Sequence, residues 1–299
     1  MSAGIRYEKL PTEQRNPKSR NLDNLSTTQL LQLMNREDLS VIHAISKNLP
    51  SITRAVNVIT GCLRRGGRLF FVGAGTSGRL GVIEAAECPP TFHTNPSLVQ
   101  AIIAGGHQAV FRSQEGAEDD FANGQKLAQA RVRKGDVVVG IAASGVTPFV
   151  QAALSAAKRS GAKAILVTCS TQTTIAAQIR IIVPVGPEVL TGSTRLKAGT
   201  ATKLILNMLT LGSMVQLGKT YSNLMVDVRP TSRKLRSRAV RMLQLLTHTS
   251  IAEASALLRC AQGRVKAAVL MHEKRLSYRQ ALQKLSQQGG SLRRALTHK

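Results

Sequence analysis

Apolar residues in the first part of the chain recur at intervals of three to four, which is the period of an amphipathic helix. A polar stretch of 24 residues comes first, and we expect it to form an extended arm. Ser26 then stands before the apolar positions as a candidate N-cap, so a helix is predicted to follow it. The apolar positions continue over residues 39–65, where Pro50 should break the helix because its ring removes a backbone hydrogen bond.

From residue 68 onward, short apolar runs alternate with helical patterns. The predicted strands are 68–73, 98–104, 136–143, 164–168 and 179–185, and the predicted helices between them are 78–88, 117–131 and 149–160. Strands that are apolar on both faces and separated by helices are typical of a parallel sheet. The pattern therefore predicts an α/β fold, a three-layer αβα sandwich around a five-stranded parallel sheet with right-handed crossovers.

Beyond the last predicted strand the pattern is helical. Residues 197–217 are apolar around most of the helix circumference, so this helix should be buried against a partner in the same chain or another one. Short amphipathic helices are predicted at 234–246, 250–261, 263–272 and 277–286, with a last helical turn after Gly290. We therefore predict three segments, a polar arm (1–24), an α/β domain (25–230) and a small helical domain (231–299).

Composition narrows the class of protein. The 299 residues are 43% hydrophobic, which is normal for a folded domain and too high for a disordered chain. The apolar runs are far shorter than the roughly 18 residues of a membrane span, and the polar N-terminus lacks the apolar core of a secretory signal. The cysteines have no disulfide or metal-site spacing: they are Cys62, Cys88, Cys169 and Cys260. We expect a cytoplasmic protein with no membrane contact, no metal and no cofactor.

The charge is unusual for such a fold. Lys and Arg number 41 against 16 Asp and Glu, a formal net charge of +25. The excess is concentrated after residue 220, where 16 basic residues accompany 3 acidic ones. Such a field favours anionic ligands. No nucleic-acid motif accompanies it, and the chain has only three Tyr and six Phe, so we interpret the excess as a solvated basic surface and do not expect nucleic acid as a partner.

Three loops rich in Gly, Ser and Thr follow predicted strands or precede a helix, at residues 73–78, 144–148 and 191–197. Ligands of parallel-sheet proteins bind at the carboxyl ends of the strands, and helix N-termini donate N–H groups to phosphate. The first loop lacks the Lys of a Walker loop, and no acidic residue follows the next strand to hold a ribose. The loops favour a phosphomonoester pocket, with generic turns as the alternative. The hydroxyls expected near the phosphate are Thr76, Ser77, Ser144 and Thr147.

Acidic residues are scarce, so their positions are informative. Glu84 and Glu87 are three apart on the helix after the first loop and share one face. The Cys88–Pro90 segment should end that helix and leave Glu87 beside the turn. Glu118 lies in the acidic stretch 115–120, which should open the next helix. Two carboxylates from different loops can serve as general acid and general base. Alternatively, the acidic stretch only complements a helix dipole.

Seven segments of the chain, taken together and in order, closely resemble the N-acetylmuramic acid 6-phosphate etherase family. They are Gly73-Ala-Gly-Thr-Ser-Gly-Arg-Leu-Gly81, Ala86-Glu-Cys-Pro-Pro-Thr91, Ile103-Ala-Gly-Gly106, Glu115-Gly-Ala-Glu-Asp119, Asp136-Val-Val-Val-Gly-Ile-Ala-Ala-Ser-Gly145, Thr191-Gly-Ser-Thr-Arg-Leu-Lys-Ala-Gly-Thr200 and Asn223-Leu-Met-Val-Asp227. The arm contributes Thr12-Glu-Gln-Arg-Asn-Pro17, which is similar to the N-terminal segment of that family. The match covers nearly the whole chain, and such a set is highly specific.

The resemblance implies a sugar isomerase (SIS) domain followed by a small helical domain, in a cytoplasmic bacterial homodimer. The implied reaction converts N-acetylmuramic acid 6-phosphate and water to N-acetylglucosamine 6-phosphate and D-lactate during cell-wall recycling, without a cofactor. By position, Glu87 matches the proton donor of the family and Glu118 its second catalytic acid. The candidate phosphosugar-binding residues are Gly75, Thr76, Ser77, Ser144, Gly145, Thr147, Ser193 and Lys203.

Two positions depart from the family pattern, and two other readings stay open. Val146 stands where Arg is common, and Ser222 where Gly is common. The first alternative function is a non-catalytic SIS sensor of sugar phosphates, similar to the glucokinase regulatory protein. The second is a sugar-phosphate aldose–ketose isomerase, which shares the fold but not the Ala86-Glu-Cys-Pro-Pro segment. The presence of both Glu87 and Glu118 favours the etherase over the sensor.

Overall fold

The computed structural model describes residues 8, 10–228 and 230–297. The chain divides into two compact units. The first, called here the sheet unit, consists of Met1–Ala85 and Ser97–Thr210, and the second, the helical unit, of Ala86–Pro96 and Leu211–Lys299. The domain boundary after residue 230 stays a prediction.

Two helices precede the sheet, as the apolar spacing predicts. Helix α1 covers Thr27–Ser46 and begins with a reciprocal capping box between Ser26 and Gln29. Helix α2 covers Leu49–Arg64, and Pro50 lies in its first turn, where a missing N–H costs nothing.

The polar arm is not extended over its described part. It forms 3₁₀ turns at Pro17–Ser19 and Leu22–Asn24, and it buries Leu10, Thr12 and Asn16. Three buried side chains among polar neighbours are too few to give a periodic pattern. Residues 1–7 and 9 of the predicted arm lie outside the described residues.

The predicted five-stranded sheet is confirmed. Its strands are β1 (Leu69–Gly73), β2 (Val99–Ile103), β3 (Val137–Ile141), β4 (Lys163–Thr168) and β5 (Ile179–Ile182). They lie in the order β2-β1-β3-β4-β5 with every neighbouring pair parallel. All residues of β1 and β3 are buried. This is the expected result for central strands covered by helices on both faces.

The remaining helices that follow strands in the sheet are α3 (Gly75–Phe92), α4 (Gln108–Phe111), α5 (Phe121–Arg131), α6 (Pro148–Arg159) and α7 (Lys197–Gln216). Helix α3 corrects one expectation, because it continues through Pro89 and Pro90 instead of ending at them. A proline has helical φ, and its missing N–H and its ring disturb the turn that precedes it, so two adjacent prolines near the end of a helix affect only the last turns. The helix ends with the His93 N–H donating to the Pro89 carbonyl at 3.0 Å.

The helical unit contains the four short helices predicted after Pro230, and the predicted last turn forms a fifth. They are α8 (Arg233–Thr247), α9 (Ile251–Cys260), α10 (Val265–Lys274), α11 (Tyr278–Gln287) and α12 (Leu292–Thr297). Small residues and leucines from all five pack into one core. Ser250 and Ser277 form capping boxes at α9 and α11. Among the described residues, the structure contains no helix with the length and apolarity that a membrane crossing requires.

Candidate functional site

The strand order locates the candidate site. Strands β1 and β3 are neighbours, while the chain leaves β1 toward β2 on one side and β3 toward β4 on the other. Ligands of open α/β sheets bind at such a point, outside the carboxyl ends of the strands. The loop after β1 leads into α3 at Gly75, and the loop after β3 leads into α6 at Pro148. Two of the three predicted phosphate loops, 73–78 and 144–148, therefore flank one crevice.

The first turn of α3 carries the first group of predicted binding residues. Gly75 has φ of +51°, which a residue with a side chain rarely adopts. A side chain on Gly78 would lie 2.6 Å from the Gly73 carbonyl oxygen and from Ile103, so this turn can pack against β1 and β2 only with glycine there. Thr76 and Ser77 are half-buried in the same turn. Their hydroxyls and the N–H groups of this turn suit a phosphate.

The loop after β3 is held by a hydrogen bond that its backbone accepts from another loop. The Thr173 hydroxyl donates to the Gly145 carbonyl at 2.7 Å, and Gly145 has φ of +78°. Ser144 is half-buried, while Thr147 is buried. Val146, the departure from the family pattern, is 2% exposed and therefore packs into the protein. The loop presents hydroxyls without a cation of its own.

The third predicted loop precedes α7, whose first turn lies beside α3. A Cβ on Gly199 would be 3.6 Å from the Thr76 methyl group, which brings two of the three predicted loops together. The backbone N–H groups of Lys197 and Ala198 donate to the carboxylate of Glu188, each at 2.9 Å. The start of α7 is therefore satisfied by a side chain of the same protein. Ser193 is half-buried in the loop before it.

A buried ion pair anchors this third loop, and the sequence analysis missed it. The Lys197 ammonium donates to the Glu37 carboxylate at 2.8 Å, and the Asn16 amide donates to the same oxygen at 2.8 Å. Asn16 also donates to the Pro187 carbonyl at 3.2 Å, which joins the arm to the segment just before this loop. Burial would raise the pKa of Glu37, but hydrogen bonds from Lys18, Lys197 and Asn16 outweigh it and lower the pKa to about 2. No local pattern marks Glu37, because Lys197 is 160 residues away.

Lys203, predicted to bind the phosphosugar, is engaged within the sheet unit. Its ammonium lies 2.6 Å from one oxygen of Glu84, and it also donates to Asn207. The Thr210 hydroxyl donates to the other oxygen of Glu84 at 2.6 Å. Glu84 is 6% exposed. It therefore joins α3 to α7, and any contact of Lys203 with an anion is made with Glu84 as its neighbour.

The two candidate catalytic carboxylates have different settings. Glu87 is an exposed residue inside α3, because that helix continues beyond it. Glu118 lies in a 3₁₀ turn, Ala117–Asp119, and does not open α5 as expected. Asp120 caps α5 instead by accepting the Asn123 N–H at 2.9 Å. The helix-dipole alternative therefore applies to Asp120.

The pKa of Glu118 is raised above its ordinary value. Partial removal of the carboxyl from water is the largest cause, although the side chain as a whole stays exposed. The negative charges of Asp119, Glu115 and Glu13 raise it further. A raised pKa makes the carboxylate a stronger base than an ordinary glutamate.

Glu118 and Gly75 line the same cavity, which has a volume of about 150 Å³. The structure thus brings one candidate catalytic residue to the predicted phosphate turn. The sequence analysis overlooked another wall residue, Arg79, whose Nε donates to the Val110 carbonyl at 3.0 Å. Val110 belongs to α4, which was not predicted because four residues are too few to show a helical period. The only signal for Arg79 was its place in the segment that begins at Gly73.

The chain is similar to several known proteins. Residues 51–158 match the glucokinase regulatory protein N-terminal SIS domain, and residues 121–212 match the SIS domain. The chain is 51% identical to N-acetylmuramic acid 6-phosphate etherase of Picosynechococcus sp. over 96% of each chain. It is 49% identical to that of Geobacillus thermodenitrificans over 97% of this chain and 99% of the relative. A phosphoheptose isomerase structure from Francisella tularensis is 21% identical, with a TM-score of 0.48, over 62% of this chain and 98% of that one.

Proposed function

The chain belongs to the N-acetylmuramic acid 6-phosphate etherase family, and from this premise we propose how its own residues carry out the reaction. The protein is a carbon–oxygen lyase that converts N-acetylmuramic acid 6-phosphate and water to N-acetylglucosamine 6-phosphate and D-lactate. This reaction belongs to peptidoglycan recycling. The observation that carries the function is the 51% identity over 96% of the chain.

The phosphate binds, in this proposal, at the first turn of α3. Thr76 and Ser77 donate hydroxyls there, and Ser144 and Thr147 approach from the loop after β3. Gly75 and Gly145 allow the backbone to come close, since both have positive φ. Ser193 adds a hydroxyl from the loop before α7, and Lys203, half-buried and paired with Glu84, supplies positive charge.

The chemistry needs a base and an acid. In the open-chain sugar, the C1 aldehyde acidifies the proton on C2. Glu118 removes that proton, the electron pair of the C2–H bond forms the C2=C3 double bond, and the C3–O bond breaks. Glu87 gives its proton to the departing lactyl oxygen, so that D-lactate leaves. Water then adds to C3 with loss of a proton to Glu87, and Glu118 returns a proton to C2. The raised pKa of Glu118 supports its role as the base.

We also propose a homodimer in the cytoplasm. Leu211 and Val215 on α7 are 52% and 46% exposed, and at a spacing of four residues they lie on one face of the helix. Burying one such side chain stabilises an interface by about 1.5–3 kcal/mol, and a closed two-fold dimer is the commonest result. The cysteines are free thiols, which suits a reducing compartment.

D-lactate release from N-acetylmuramic acid 6-phosphate tests the function. The wild-type protein should release one lactate for each N-acetylglucosamine 6-phosphate formed. Glu87→Gln and Glu118→Gln should each bind the substrate and lose about 10²–10⁴ in turnover. Asp23→Asn, an exposed acid of the arm, is a matched control that should keep full activity. A wild-type protein that binds the phosphosugar but releases no lactate would instead be a sensor. The match to the glucokinase regulatory protein domain is the reason to test this alternative.

A further inference from the structure

The proposed reaction places a second anion of the substrate close to Glu118. The lactyl ether is carried by C3, the neighbour of the carbon whose proton Glu118 removes. The lactyl carboxyl carbon is four bonds from C2, and at about 1.5 Å per bond it can lie at most about 6 Å away. Whatever recognises the lactyl carboxylate must therefore be found near the cavity that Glu118 lines.

That cavity is otherwise unfavourable for a carboxylate. Glu115 and Glu118 both line it, and the charges of Asp119 and Glu13 also reach Glu118. These groups repel another negative group, since Glu115 and Glu118 line the space itself and Asp119 and Glu13 add negative charge at Glu118. A cation in the cavity wall would compensate for this repulsion when a substrate carboxylate enters.

Arg79 is the only cation among the described residues that line this cavity. It is half-buried on the first turns of α3, and its Nε is fixed by the Val110 carbonyl at 3.0 Å. An arginine keeps further N–H donors when Nε is used, and its planar fork matches the two oxygens of a carboxylate. Ser113 and Gln114 add neutral donors to the same wall.

We propose that Arg79 binds the carboxylate of the lactyl group and makes the enzyme specific for a lactyl ether. This inference rests on the proposed function, because it takes its second anion from that substrate. Arg79 holds the leaving group on the side of C3 that faces Glu118. It also offsets the charge of the acidic residues around the cavity when the substrate enters.

The test uses two substrates, N-acetylmuramic acid 6-phosphate and its lactamide analogue, in which a neutral amide replaces the carboxylate. Both yield N-acetylglucosamine 6-phosphate, so one assay measures both. The wild-type enzyme should prefer the carboxylate by about 10- to 100-fold in kcat/KM, the range of a hydrogen-bonded charged pair. Arg79→Met should lose that preference by slowing the carboxylate substrate while leaving the amide within about threefold.

Three further measurements keep the outcome clear. Arg79→Gln retains a donor for the Val110 carbonyl, so it should fold even if Arg79→Met does not, and it should also lose the preference. Arg79→Lys should recover part of the preference through its charge. Arg112→Met, at an exposed arginine outside the cavity wall, should behave as wild type.

The proposal is overturned if the folded Arg79 variants slow both substrates equally, which would indicate a role in the phosphate site or in folding. It is also overturned if they keep the wild-type preference. If the wild-type enzyme forms no product from either substrate, the proposed function itself has failed. Product from the natural substrate without loss of preference in the variants defeats only the assignment of Arg79.

Discussion

Each unit of the molecule buries a lysine against a carboxylate, and the two pairs are built differently. In the sheet unit, the Glu37 carboxylate receives hydrogen bonds from Lys197, Lys18 and Asn16. In the helical unit, the Lys266 ammonium donates to one carboxylate, that of Asp227 at 2.7 Å, and to the carbonyls of Gly218 and Gly290 at 2.8 Å. The first pair surrounds an anion with donors, and the second surrounds a cation mainly with neutral acceptors.

The pKa values show whether burial or the partner groups dominate in each pair. Burial favours the neutral form of Glu37, yet the three donors reverse this effect and lower its pKa to about 2. Burial also favours the neutral form of Lys266, and there it wins, because the attraction of Asp227 is smaller and Lys219 opposes it; the pKa is lowered. The donors around Glu37 therefore outweigh burial in setting its pKa, whereas burial outweighs the partners of Lys266.

Removing Lys197 should have the largest effect. Lys197→Met leaves the Glu37 carboxylate buried without its most buried cation, and loss of one partner of a buried pair costs about 3–5 kcal/mol in the free energy of unfolding. The KM for the phosphosugar should rise as well, because Lys197 anchors the loop that carries Ser193. Urea unfolding and lactate kinetics measure the two effects. Glu37→Gln combined with Lys197→Met should recover part of the stability, and a double variant no more stable than the single one would contradict this account.

The second-largest effect should be a loss of stability at acid pH that depends on the Glu37 pair and not on the Lys266 pair. Because the folded-state pKa of Glu37 lies near 2 and its ordinary pKa is 4.5, the pair stabilises the fold fully above pH 4.5. That stability is lost as the pH falls toward 2. The loss should total about 3 kcal/mol. Urea unfolding at several pH values should show this loss in the wild type and not in Glu37→Gln. Lys266→Met should lose stability toward acid pH as the wild type does.

If the free energy of unfolding falls equally toward acid pH in the wild type and in Glu37→Gln, Glu37 is not its cause.

Removing Lys266 should cost less than removing Lys197. Asp227 is more exposed than Glu37 and keeps Lys219 at 3.4 Å, so the charge that Lys266→Met leaves behind is better solvated than the one that Lys197→Met leaves. We expect a loss of about 1.5–3 kcal/mol, the range of hydrogen bonds to a charged group. Comparison of the two methionine variants in one urea series checks the order. The comparison between the units fails if Lys266→Met is the more damaging change.

The carboxylate of Glu118 has acidic neighbours instead of hydrogen-bond donors. Removing one of these neighbours should have the smallest effect of the four changes. The proposed base works when deprotonated, so kcat/KM should rise with pH through its raised pKa. Asp119→Asn removes a negative neighbour, lowers that pKa and should move the rise to lower pH by a few tenths of a unit, because exposed charges are well screened. A pH profile of lactate release measures the shift, with Asp23→Asn as the unchanged control. A shift to higher pH would exclude Asp119 as a cause.

Most of the sheet unit could be read from local patterns. The five strands were predicted because residues buried on both faces form continuous apolar runs, as in β1 and β3. The resemblance supplied the family, and full-length relatives confirm it. Two local rules misled the prediction. Pro89 and Pro90 do not stop α3, since proline tolerates helical φ near the end of a helix, and α4 is too short for any period to be visible.

The sequence by itself determined the five strands, most of the helices, the candidate phosphate loops and the two candidate carboxylates, because periodicity and motif spacing depend on neighbouring residues. Only the tertiary structure decided which charges meet. The contacts join residues that are far apart in sequence: Glu37 and Lys197 are separated by 160 residues, Lys203 and Glu84 by 119, and Arg79 and Val110 by 31. Those contacts arise from strand order and helix packing, which bring distant parts of the chain within hydrogen-bond distance. No local pattern contains that information, since a buried ion pair depends on where two segments meet in space.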